Sequence, residues 1–197
     1  MADDLGVTDL DVHAPRIQER ATEVLGFWFD LAMPEQWFAQ SNSFDDEVRA
    51  LFGPLRDLVL GSGAAGWRDD PDTLLAAIIV LDQFSRNIHR GTAEAFAADP
   101  LAQELTALAL VSGWDEGMSE ERRQFLYMPL MHAEDPELQA LCLKCFDALG
   151  REQNIAFARE HAAVIERFGR FPTRNAALGR ETTPAEAEWL AASPVSW

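Results

Sequence analysis

Residues able to do chemistry fall into three short polar blocks of an otherwise apolar-rich chain. The first is Asp82-Gln83-Phe84-Ser85-Arg86-Asn87-Ile88-His89-Arg90-Gly91, which follows the apolar run Leu74 to Leu81. On a helix, Asp82, Arg86, His89 and Arg90 stand at i, i+4, i+7 and i+8 and share a face. Guanidinium forks in that position suit a carboxylate or phosphate, with Asp82 orienting an arginine or the histidine. The same groups can instead donate to the free carbonyls at a buried helix end. The second block is Tyr127-Met128-Pro129-Leu130-Met131-His132-Ala133-Glu134-Asp135, where a histidine two residues from a carboxylate could act as a general base or a ligand. Its structural alternative is that Glu134 and Asp135 cap the next helix and His132 bonds locally. The third runs from His161 to Arg180 and holds Arg167, Arg170, Arg174, Asn175 and Arg180. Four of fifteen arginines within fourteen residues make either a basic pocket or a set of ion pairs clamping a loop. Exposed pairs contribute only about 0–1 kcal/mol each, which is a weak reason for so many.

Metal and nucleophile chemistry find less support. His132, Cys142, Cys145 and His161 can be written as a zinc-like series. The cysteines, however, fall in the apolar stripe of a helix with Leu138, Leu141 and Leu149, where a thiol serves as a small hydrophobe. No metal and no cofactor is expected, and there is no nucleophile elbow, phosphate loop or H-E-x-x-H.

The elements that must position these blocks are helical. The spacing predicts a helix over about 15–29, with Pro15 in its first turn, and another from an N-cap at Ser43, with a kink or break at Gly53-Pro54. Asp70-Pro71 starts a helix that is apolar nearly all round, hence central, and that delivers the first block at its C-terminal end. Asp99-Pro100, Ser119, Asp135-Pro136 and Thr183-Pro184 start others; Pro129 is expected to limit the one carrying Tyr127. No alternating strand or hairpin signal occurs. The chain is therefore expected to be all-α: one domain of about eight helices over 15–197, packed as antiparallel hairpins, after an acidic, loosely packed lead-in over 1–14.

Bulk composition narrows the function. The 197 residues carry a net charge of −17, which repels nucleic acid and anionic lipid. No apolar run is long enough to span a membrane. Met1-Ala2-Asp3-Asp4 lacks the basic and apolar regions of a signal peptide, so a cytoplasmic location is expected, with cysteines as thiols.

Taken together, the three blocks, with Val24-Leu25-Gly26-Phe27-Trp28-Phe29, Trp37-Phe38, Arg167-Phe168-Gly169-Arg170-Phe171-Pro172 and Arg174-Asn175, resemble the signature segments of the bacterial "domain of unknown function 924" family over residues 20–190. Ser85 stands where that pattern has proline. The resemblance implies a single all-α domain with tetratricopeptide-like packing and no assigned activity. On this basis the blocks are expected to meet in an Arg- and His-lined groove that binds a small anionic molecule or a peptide carboxylate. The ligand residues would be Arg86, Asn87, His89, Arg90, Tyr127, Arg170, Arg174 and Asn175. The alternatives are a hydrolytic or acid–base enzyme using His132 or His161 with Glu134 or Asp82, and a purely structural polar network.

Overall fold

The computed structural model describes the backbone of residues 9–192 and the side chains of residues 16–192. The part of the expected lead-in over 1–8 lies outside the described residues. Within them the chain forms helices and no strand.

Helix α1 (Asp9–Gly26) starts ahead of Pro15 and runs directly into a π-helical turn, Phe27–Leu31. Its inward stripe, Ala21, Val24, Leu25 and Trp28, is buried, as the 3.6-residue spacing requires. A four-residue helix α2 (Pro34–Trp37) then leads to α3 (Asn42–Gly61). The cap of α3 is Ser41 rather than Ser43: its hydroxyl accepts from the Phe44 amide at 3.4 Å. Pro54 does not break α3, which is continuous across it. Proline disfavours helix in the residue before it through a clash with that residue's Cβ, and Gly53 has none.

Asp70 caps α4 (Pro71–Ile78), its carboxylate accepting from the amides of Asp72 (2.9 Å) and Thr73 (3.1 Å). The helix widens into a second π turn, Ile79–Phe84, and tightens again as α5 (Ser85–Ile88). All residues from Thr73 to Ser85 are buried, so this rod is the axis of the core. Each fully buried Leu or Ile on it contributes about 1.5–3 kcal/mol. Around it pack α1, α3, α6 (Asp99–Val111) and α7 (Glu120–Met131). An aromatic set, Phe27, Trp28, Phe44, Phe52, Phe84 and Phe125, joins α1, α3, the π turn and α7, largely edge to face.

Helix α7 extends two residues past Pro129 and ends at His132. Asp135 caps α8 (Pro136–Leu149) through the amides of Glu137 and Leu138. Gly150, at φ +78°, closes α8, and α9 (Glu152–Phe168) follows. Consecutive packing of α7 on α8 and α8 on α9 across such short links gives antiparallel hairpins. Cys142 and Cys145 are buried in α8. Burial pushes the Cys142 thiol far up and the Cys145 thiol to about 11, so both stay protonated. A small second cluster, Val164, Ile165 and Phe171 with Phe168 and Trp189, fixes the 3₁₀ turn Pro172–Arg174 and the last helix, α10 (Pro184–Ala192), against α9.

Candidate functional site

Asp82 is fully buried in the π turn, where its carboxylate would be expensive without partners. Three surround it. His132 Nδ1 lies 2.7 Å from Oδ1, Gln83 Nε2 donates to Oδ2 at 2.5 Å, and Arg86 Nη1 stands 3.1 Å from Oδ1. Burial alone would raise this carboxyl, but the Arg86 charge and the His132 contact hold it well below the usual carboxylate range. An ionised carboxylate only accepts, so Nδ1 of His132 carries the proton. Burial and the neighbouring Arg86 lower the pKa of His132, which leaves a neutral ring with its lone pair on Nε2. The His132 side chain is 12% exposed, and Nε2 has no hydrogen-bond partner among the described residues.

Asp99, the first residue of α6, closes the other side. It takes both Arg86 nitrogens, at 2.9 and 3.0 Å, and Arg174 Nη1 at 3.2 Å. Arg174 also donates to the His132 carbonyl at 2.9 Å, and its guanidinium lies between the rings of Phe96 and Phe171, 4.6 Å from each centroid. Burial and the nearby Arg86 bring Arg174 down to about 10, which is still cationic at neutral pH. His161 completes the cluster. Its ring centroid lies 6.4 Å from that of His132, and Nδ1 donates to the Phe157 carbonyl at 2.8 Å. Burial first, then His132, lowers His161 to about 3. Two arginines thus face two carboxylates beside two neutral imidazoles.

The three sequence blocks meet here through Asp82, Arg86, His132, His161 and Arg174. Other expected residues go elsewhere. Arg90 and Asn87 turn to Asp45 on α3, with Arg90 bidentate at 2.6 and 2.7 Å. His89 lines a shallow groove of about 430 Å³ with Arg49, Pro54 and Asp57. Tyr127 donates to Asp115 at 2.7 Å and accepts from Arg123 at 3.1 Å. Arg170 and Asn175 converge on Glu186, which the Arg170 hydrogen bonds hold at about 2. Glu134 does not cap α8 and does not meet a histidine. It takes Arg180 through both oxygens and the Phe171 amide at 2.7 Å, tying the 169–180 loop to the end of α7.

The residues that sequence reasoning missed are the carboxylate partners. Asp99 reads locally as a helix start before Pro100, and Asp45 as a first-turn acid. Their arginine partners lie 13, 45 and 75 residues away, a separation that leaves no local signal.

A solved structure described as a protein of unknown function, ATU0120 from Agrobacterium tumefaciens, is similar at 36% identity with a TM-score of 0.84, covering 89% of this chain and 99% of that one. No curated protein matches significantly. A family model described as bacterial protein of unknown function (DUF924) matches residues 24–193, which include every residue of the Asp82–His132–Asp99 cluster. The chain therefore belongs to this bacterial family of proteins of unknown function.

Proposed function

We propose that the cluster around His132 is a small-molecule site, in which His132 Nε2 accepts a proton or hydrogen bond from a ligand bearing an acidic group. The observation that carries this reading is the 2.7 Å contact between His132 Nδ1 and the fully buried, ionised Asp82. A carboxylate on Nδ1 fixes the tautomer and ring orientation and makes the solvent-facing Nε2 a better base. Arg86 is 20% exposed and has N–H groups beyond those that hold Asp82 and Asp99, so it can receive the ligand's acidic group at the same opening. Because each arginine is matched by a carboxylate, the site attracts a small anion by directed hydrogen bonds rather than by net charge. The setting that fits is a cytoplasmic protein of tetratricopeptide-like helical hairpins, whose acidic surface disfavours nucleic acid. Among the described residues no helix is long and apolar enough to cross a membrane.

Histidine-labelled protein titrated with acetate, succinate and inorganic phosphate tests the reading. The expected result is a saturable shift of the His132 ring resonances with at least one probe, abolished in a folded His132→Gln variant. The reading fails if no probe shifts His132 saturably. It also fails if Arg86→Lys, which keeps the charge but loses the fork, lowers thermal stability and leaves every titration unchanged; the cluster is then structural.

A further inference from the structure

A second surface, on the far side of the polypeptide from any of the three blocks, has its own chemistry. Between α1 and α3 runs a groove of about 410 Å³ whose floor is Phe27 and Phe52 and whose rims carry Leu31 and Leu51. Phe27 and Phe52 belong to the core, but Leu31 is 73% and Leu51 50% exposed. Leu58, seven residues beyond Leu51 on the same face of α3, is 64% exposed. Helix α3 thus has two apolar faces. One, with Phe44, Val48, Phe52, Leu55 and Val59, is buried; the other, with Leu51, Pro54 and Leu58 at i, i+3 and i+7, is bare. That is the spacing of a helix that packs against another helix. Gly26 helps to open the groove, since it presents no side chain on the α1 wall.

The rim is acidic. Arg20 and Glu23 pair with each other along α1, and Arg49 pairs with Asp46 on α3. That leaves Glu19 one turn from Glu23, Asp30 beside Leu31, and Glu47 one turn before Leu51 exposed and without an ion pair among the described residues. Apolar rims with uncompensated carboxylates on both sides complement one kind of occupant. We infer that the α1–α3 groove seats a basic amphipathic helix of another protein, its apolar residues between Leu31 and Leu51 and its lysines or arginines against Glu19, Asp30 and Glu47. The charge of −17 steers such a partner towards the chain, and the groove gives it a register.

The test uses the full chain and a labelled synthetic peptide of about 18 residues, made of leucine and lysine with leucines at helical i, i+3 and i+4 spacing. Its comparator keeps the lysines and replaces every leucine with serine. The expected result is saturable binding of the leucine peptide and at least about tenfold weaker binding of the serine one. Leu51→Asp separates electrostatics from seating. It adds a carboxylate, so association by charge alone tightens, whereas the proposed seat weakens by about tenfold or more. Val111→Asp, on exposed α6 outside the groove, leaves binding unchanged or slightly tighter. Equal effects of Leu51→Asp and Val111→Asp overturn the inference. So does a wild-type dimer in light scattering that Leu51→Asp converts to monomer, because the bare face then belongs to a second copy.

Discussion

Acid should destabilise this protein well before its carboxylates titrate, and His161 gives the magnitude. Its ring is almost fully buried on α9, next to His132 and beneath Phe171, and is held at about 3, below the ordinary imidazole value of about 6.5. The unfolded chain takes up a proton near pH 6.5 while the folded chain takes none until far lower. Between those values the unfolded state binds more protons, so stability falls as pH falls, approaching 1.4 kcal/mol per pH unit. From neutrality to about pH 5 the His161 contribution sums to about 2 kcal/mol. His132, lowered in the same direction, adds to the loss. The carboxylates do not interfere in this window. Asp82, Asp45 and Glu134 have lowered folded values, so their stabilisation is present above the ordinary carboxylate range and is lost only as pH falls through the folded ones. Urea denaturation followed by tryptophan fluorescence at half-unit steps from pH 7 to 5 measures the slope. A His161→Gln variant, whose amide can still donate to the Phe157 carbonyl, should lose a large part of it. A flat profile in the wild type, or an unchanged slope in the variant, would refute the reasoning.

Two further outcomes follow from the same geometry. Asp82→Asn leaves two buried arginines facing the single carboxylate of Asp99, and should cost about 3–5 kcal/mol in the same urea assay; a loss below about 1 kcal/mol would mean that solvent reaches the cluster. Gly66 has φ +79°, and a Cβ there would stand 2.5 Å from Ile17 Cδ1, so Gly66→Ala should lower stability by about 1–2 kcal/mol, visible as a depressed Tm.

Much of the architecture is legible in the sequence because it is written locally. Asp70, Ser119 and Asp135 announce their helices by side-chain caps, and the unbroken apolar run from Leu74 identifies the central rod by lacking a polar face. The convergence of the three blocks is legible as a family pattern rather than from spacing. What local reading cannot supply is which acid answers which arginine. The expectation that Asp82, Arg86, His89 and Arg90 share a face assumes helix through residue 90. The helix ends at Ile88, His89 leaves it at ψ +27°, and only Asp82 and Arg86 remain together. The expectation of arginines waiting for an anion overlooked the excess of acid: Asp45, Asp99, Glu134 and Glu186 reach Arg90, Arg86, Arg174, Arg180 and Arg170 from distant parts of the chain.

The π turn at Ile79–Phe84 sets the angular phase of everything after it. A π turn is in effect one extra residue inserted into an α-helix. Deleting one residue there would let the rod close as regular α-helix, with its apolar run intact and no bond strained. It would also rotate Ser85, Arg86, Asn87 and Ile88 by about 100° relative to the body. Arg86 would swing off Asp99, and Asn87 off Asp45. A single-codon deletion in this stretch is therefore a more selective way to dismantle the cluster than any point substitution within it. It leaves every charged residue in the chain and changes only where those on α5 point.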